Sequence, residues 1–296
     1  MKKTVIYIAG YGRSGSTLLS LALDNQPGIA ALGEIAQMHK YEGKKGRECS
    51  CGRFYSECPF WSEIIKNFPE GFIEDVYQVQ RQIEPWYANW NRSSSEAVKN
   101  VYSKKVSSLF QRIYSATESR VLVDASKSVY SHTWRALALS KFTSFNVFIV
   151  HLVRDVKEVV SSRKKGRNID IELQKNTETE AKSSATGLAG WIAANTAASC
   201  IRNKLKGNST VIRYKSLVRN PNKLIEKIIN NARLEGISVS PINTELVVGH
   251  LVGSNRLVRN KNTVQIDPSY SSAPNLSRLE RIGVSLMSLP FKYFWS

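Results

Sequence analysis

The stretch Ile8–Pro27, IAGYGRSGSTLLSLALDNQP, sets Gly10, Gly15 and Thr17 in the spacing of a phosphate-binding loop. That loop reads G-x-x-x-x-G-K-[ST], and its lysine reaches the β- and γ-phosphates of a nucleoside triphosphate. Here Ser16 stands in the lysine position. The rest of the cradle is intact. Glycines let backbone wrap an oxyanion, and the helix behind them offers unpaired N–H groups and the positive end of its dipole. Ser14, Gly15, Ser16 and Thr17 supply amides and hydroxyls, and Arg13 adds a charge that can grip an oxyanion with two N–H groups. These residues fit a phosphate-like group with no γ-phosphate to transfer.

A second stretch, HLVRDVKEVVSSRKKG, places Arg154 where a strand ends and Ser162 eight residues on, about two helical turns later. Alone, it is an ordinary strand–helix junction with a surface arginine. Taken with the first loop, it describes a clamp for a second phosphate, and hence a ligand phosphorylated at both ends.

Elements must position these groups. TVIYIAG (Thr4–Gly10), RVLVDAS (Arg120–Ser126) and FNVFIVHLVRD (Phe145–Asp155) are apolar, β-branched runs that read as buried strands, and STVIRYKSLV (Ser209–Val218) reads as a fourth. Helical spacing follows each: after Ser16, over Tyr130–Ser140, from Val156, and in RNPNKLIEKIINNA, with Asn220 as cap and Pro221 in its first turn. Another long helix is expected over Thr186–Lys204. The alternation predicts an α/β fold: a P-loop-type parallel sheet with helices on both faces. The whole chain, 1–296, reads as one domain without internal repeats. An insertion over about 39–119 carries a Cys-rich loop and then helices, with an aromatic knot at Trp86, Tyr87 and Trp90. A terminal helix is expected over about 276–295.

Composition narrows the partners. The formal net charge is +18, so nucleic acid, an anionic surface and a polyanionic small ligand compete. No run of 18 apolar residues marks a membrane span, and the basic start runs directly into the glycine loop without a signal-peptide core. The reading is a cytoplasmic protein. The tail, ending SLMSLPFKYFWS, is expected to dock on the body; as a greasy surface helix it is also the place for peripheral contact with the inner membrane face. Cys49, Cys51 and Cys58 crowd into ECSCGRFYSECPFW, while Cys200 stands apart. Three Cys fall short of a zinc quartet unless His39 or Cys200 joins them. A metal, a local disulfide and packed free thiols stay open, and no metal is assigned to the site.

The two phosphate stretches resemble those of the sulfotransferases that use 3′-phosphoadenosine 5′-phosphosulfate (PAPS), in particular bacterial members of the carbohydrate and tyrosylprotein type. GYGRSGSTLL is similar to that family's 5′-phosphosulfate loop. LVRDVKEVVSSR is similar to its 3′-phosphate segment, with Arg154 and Ser162 at the matching positions. VIRYKSLVRNPNKLIEKI resembles the later element in which a tyrosine, here Tyr214, lies near the nucleotide. VDASK and the Cys-rich insertion resemble stretches of bacterial members, and the likeness spans about Lys3–Tyr270. It implies in-line transfer of a sulfuryl group from PAPS to an acceptor hydroxyl or amine, expected on a carbohydrate, glycolipid or related metabolite, with no metal.

Such a transfer needs cations on the leaving phosphate and a base for the acceptor proton. Arg13 and Lys127 are the candidate cations, the latter at a strand's carboxyl end. Glu34 is the candidate base, as in tyrosylprotein-type relatives; His151 and His132 are the rivals, and mid-strand His151 reads as core. Ser254 falls where relatives place a hydroxyl near the transferring group, and Arg256, Arg259 and Lys261 are candidates for the 3′-phosphate or an anionic acceptor. Trp191 and Asn195 read first as packing. The helical stretch 63–119 and the polar stretch 166–185 are expected to shape the acceptor cleft. Two other readings compete: a lysine-less P-loop kinase or NTPase, with Asp124 as its Mg²⁺ acid, and a basic nucleic-acid-binding protein, for which no recognition motif is present.

Overall fold

The structure, a computed structural model, describes residues 3–43, 47–88, 95–127, 130–164, 184–253, 257–267 and 276–294. Its centre is β1 (Thr4–Ala9), buried at every position. β2 (Ile29–Gly33), β3 (Val121–Asp124), β4 (Asn146–Val153) and β5 (Ser209–Arg213) complete a five-stranded sheet ordered β2-β3-β1-β4-β5. Every pairing in it is parallel.

Alternation along β1 divides the core. Val5 and Tyr7 face one side with Phe110 and Ile113 of α5 (Glu96–Thr117), while Ile6 and Ile8 face the other with Leu19 and Leu23 of α1 (Ser16–Asp24). Helices therefore cover both faces, as parallel strands require. The insertion adds α2 (Met38–Tyr41), α3 (Pro59–Ile65) and α4 (Phe72–Ile83) before α5. A buried ionic network bolts it to the sheet. Arg135, which opens α6 (Arg135–Phe142), donates from Nε to Asp124 at 2.7 Å and from Nη1 to Glu84 at 2.6 Å. Glu84 also faces His132 Nδ1 at 2.6 Å and accepts from the Tyr102 hydroxyl at 2.9 Å.

After β4 come α7 (Val156–Lys164) and α8 (Ser184–Lys204). The fourth expected strand is shorter than its sequence run: β5 stops at Arg213, and Tyr214–Arg219 forms α9. Adjacent Leu217 and Val218 join one core cluster, whereas a strand would send them to opposite faces. α10 (Pro221–Asn231) follows with Pro221 in its first turn; Asn220 occupies the cap position, but its side chain makes no capping bond. A small antiparallel pair, β6 (Glu245–Val247) with β7 (Thr263–Gln265), was not expected from the sequence, nor was β2.

The terminal helix α11 (Arg278–Phe294) packs against α7 and α8, burying Val284. Its outer face leaves Leu279, Ile282, Leu286 and Met287 exposed. Among the described residues, no helix is long and apolar enough to cross a membrane. Trp90 and most of the polar stretch 166–185 lie outside the described residues.

Candidate active site at the carboxyl edge of the sheet

Each of the five parallel strands runs at its carboxyl end into a residue the sequence singled out. Arg13 follows β1, Glu34 follows β2, Lys127 follows β3, Arg154 follows β4 and Tyr214 follows β5. A parallel sheet brings these ends to one edge, where open α/β sheets bind their ligands.

The loop from Gly10 to Gly15 turns back on itself. Arg13 and Gly15 are both left-handed, with φ of 72° and 95°. Gly15 has a second reason to be glycine: a Cβ there would run into the ring of Tyr214. Behind it, α1 opens with amides that its own helix cannot pair. The Ser14 hydroxyl is buried and has no hydrogen-bond partner among the described residues. A buried unpaired hydroxyl in a ring of small residues is a place built for an acceptor oxygen.

Arg154 sits against this loop. Its side chain is 8% exposed, and Nη1 donates to the Arg13 carbonyl at 3.1 Å while Nε donates to Glu158 at 2.7 Å. Its guanidinium lies 4.2 Å from the Tyr214 ring centroid. Trp191 Nε1 donates to the Arg154 carbonyl at 3.1 Å, and Asn195 hydrogen-bonds Trp191 and the buried His151. The two residues read first as packing thus buttress the arginine's backbone from behind.

The Glu34 carboxylate forms an ion pair with Lys127 Nζ, and both side chains are about one-fifth exposed. The Tyr41 hydroxyl donates to the other Glu34 oxygen at 2.9 Å, and Gln37 Nε2 donates to it at 3.3 Å. Burial alone would raise the pKa of Glu34. The Lys127 ammonium, the Tyr41 hydroxyl and Arg47 outweigh it and hold the carboxyl below its ordinary range. Lys127 takes a left-handed backbone, φ 66°, with its carbonyl fixed by the Tyr7 hydroxyl at 2.6 Å. On the far side Val252 runs beside β2, accepting from the Glu34 amide at 2.8 Å and donating to Leu32 at 2.9 Å. Gly33 has a positive φ, and its Cβ would collide with that backbone. Ser16, Thr17, Glu34 and Lys127 line one recess, closed behind by Leu251–Gly253 and Val258.

The other candidates fall elsewhere. Ser162 is half-buried on α7. Arg259 pairs with Glu48 of the Cys-rich loop at 3.5 Å. Ser254 and Arg256 lie outside the described residues. Both rival histidines are core: His151 is fully buried, its pKa pushed down to about 4 by burial, and His132 is locked to Glu84. Asp124, the acid an NTPase would need, is fully buried and held by Arg135 and the Ser126 amide. Sequence reasoning missed Tyr41, Gln37 and Val252. The i, i+3 and i, i+7 spacing of Gln37 and Tyr41 from Glu34 was the one local signal available.

A parallel five-stranded sheet of this order, with helices on both faces and a glycine loop behind its central strand, defines an α/β protein. Comparison with known families is more specific. A family model described as "Sulfotransferase family" matches residues 6–237. The chain belongs to the sulfotransferase family. No curated protein sequence matches it. Among solved structures, the sulfotransferase domain from the curacin biosynthetic pathway is similar at 16% identity and a TM-score of 0.50, over 96% of this chain and 97% of that one. The sulfotransferase domain of the Synechococcus PCC 7002 olefin synthase matches at 17% identity and a TM-score of 0.43, over 97% and 94%. Sulfotransferase STF9 from Mycobacterium avium matches at 16% and 0.45, over 78% and 64%. At these identities the first likeness bears on the fold alone.

Proposed function

We propose that this sulfotransferase takes its sulfuryl group from PAPS and passes it to a hydroxyl on a carbohydrate, glycolipid or related metabolite, with Glu34 as base. One observation carries the reading. A phosphate loop with Ser16 in place of lysine shares a recess with a carboxylate–ammonium pair. A donor without a γ-phosphate needs no loop lysine, and a proton acceptor beside a cation is what sulfuryl transfer to a hydroxyl requires.

The residues fit such a donor. The unpaired Ser14 hydroxyl and the amides of Gly15–Thr17 suit the 5′ side, with Arg13 adding charge. Arg154 and Ser162 would hold the 3′-phosphate, and Tyr214 would lie beside the nucleotide. Ser254, Arg256 and Arg259 belong to the same reading as residues of the segment that closes over it.

In this mechanism Glu34 takes the acceptor's hydroxyl proton. The acceptor oxygen forms a bond to sulfur as the bond from sulfur to the phosphate oxygen breaks. Lys127 leaves Glu34 and, with Arg13, neutralises the charge that develops on that phosphate. Because Lys127 is the foremost of the groups that offset burial at Glu34, its departure raises the carboxylate's proton affinity when a base is needed. Asp124 is consumed by Arg135, so no acid in this site is assigned to Mg²⁺. The test is turnover without added Mg²⁺, with PAPS and a panel of sugars, glycolipids and phenols. The expected result is release of adenosine 3′,5′-bisphosphate together with an acceptor heavier by one SO₃. ATP consumption that requires Mg²⁺, with no sulfated product, would overturn the proposal.

A further inference from the structure

The Cys-rich loop meets a histidine that no sequence spacing connects to it. Cys49, Cys51 and Cys58 converge on His250 Nδ1, and the four ligand atoms lie within 4.8 Å of one another. The sulfur–sulfur separations are 3.6 Å for Cys49–Cys58 and 3.7 Å for Cys51–Cys58. Nδ1 is 3.6 Å from Cys49 and 3.3 Å from Cys58. Bonds of about 2.3 Å to sulfur and about 2.0–2.1 Å to nitrogen, arranged tetrahedrally, give edges of about 3.8 Å between sulfurs and about 3.6 Å between sulfur and nitrogen. The four observed edges lie within about 0.3 Å of these values. A disulfide would need a separation of about 2.05 Å, and all four cysteines of the chain are free thiols.

We propose that Cys49, Cys51, Cys58 and His250 bind one Zn²⁺ in a closed, structural site. The quartet is complete without water, which is the mark of a structural rather than a catalytic zinc. The partners the sequence offered do not take part: His39 pairs with Glu74 at 2.5 Å, and Cys200 is exposed on α8. The surroundings suit a metal. Cys58 accepts hydrogen bonds from the backbone N–H groups of Trp61 and Phe60. The His250 ring stacks on Phe60, 5.5 Å between centroids. On binding, the thiols release their protons to solvent, and no electron changes hands.

The site sits at a joint. Ser50 pairs with Leu251 through its amide, at 3.2 Å, and its hydroxyl bonds to the Gly249 carbonyl; Trp61 Nε1 donates to the His250 carbonyl at 3.1 Å. Two residues on, Val252 pairs with Glu34. The metal therefore staples the insertion to the strip that backs the proposed base. This inference stands on the quartet alone and does not depend on the donor or acceptor.

The test uses the full chain, purified without chelator or metal-affinity resin. Elemental analysis should find about one zinc per chain, and Co²⁺ reconstitution should give thiolate charge-transfer bands and the intense visible bands of a tetrahedral ion. Chelation under reducing conditions should lower the melting temperature by several degrees, with one equivalent of Zn²⁺ restoring it. Cys51→Ser, at the rim of the site, should fold yet lose the metal. Trace metal after growth and titration with zinc, with every thiol reactive on unfolding, would overturn the proposal in favour of packed thiols. A mass two hydrogens light would overturn it in favour of a disulfide, and stoichiometric iron would refute zinc.

Discussion

Glu34→Gln separates the proposed role of this carboxylate as base from its ion pair with Lys127. The substitution keeps the shape and leaves an oxygen for the Tyr41 hydroxyl, but it strips Lys127 of its counter-charge. An exposed pair contributes about 0–1 kcal/mol, and breaking a fully buried one costs about 3–5 kcal/mol. With both side chains about one-fifth exposed, the loss should be about 1–3 kcal/mol. That lowers the melting temperature by roughly 2–8 °C and leaves the protein folded. Turnover should fall by about 10²–10⁴, or roughly 3–5 kcal/mol on the barrier, while adenosine 3′,5′-bisphosphate binds as before. The stability gap also has a pH signature. Glu34 is held below its ordinary value of 4.5, so its contribution is fully present above that value and fades as pH falls through the folded-state value. The native and Glu34→Gln melting curves should converge in acid. Turnover within a few-fold of native would refute the base assignment, as would a gap that widens on acidification.

Three further outcomes follow from the same geometry. Arg154→Ala should weaken adenosine 3′,5′-bisphosphate by about 10- to 150-fold in a calorimetric titration, the worth of one charged hydrogen bond; an unchanged Kd removes Arg154 from the site. Gly15→Ala should lower the melting temperature by roughly 2–8 °C, because it forces a left-handed alanine into the Tyr214 ring, whereas Gly12→Ala, with open space around it, should leave the fold unaffected. Buried His151, neutral down to about pH 4, takes no proton while the unfolded chain does from 6.5 downward. Native stability should therefore lose about 3 kcal/mol across that window relative to His151→Gln, and equal slopes in denaturant titrations would contradict the assignment.

What the sequence disclosed was what local chemistry encodes. The long β-branched runs before Gly10 and before Arg154 could only be buried strands, and the glycine–hydroxyl loop carries its own conformation. β2 escaped because IAALG is short and built mostly of Ala and Gly, so nothing local separates it from a loop; its partner β3 makes it a strand. β5 was drawn too long because the apolar run continues into α9. The Cys cluster was legible as three ligands but not four, since His250 lies 192 positions from Cys58 and reaches it only through the pairing of Ser50 with Leu251. Tyr41 and Val252 were missed for a related reason: Tyr41 reaches Glu34 through the folding of α2 beside it, and Val252 through a backbone pairing with β2 across more than two hundred positions.

The central claim is that the loop serves a bisphosphorylated nucleotide rather than a triphosphate. The direct test is a thermal-shift comparison of adenosine 3′,5′-bisphosphate without Mg²⁺ against ATP with Mg²⁺. At 100 times its Kd a ligand adds about 2.7 kcal/mol of stability, which for a chain of 296 residues is a rise of several degrees. The account predicts that rise with the bisphosphate and none with ATP–Mg²⁺. A rise with ATP–Mg²⁺ alone would contradict it and make Ser16 the mark of a lysine-less nucleotide triphosphatase.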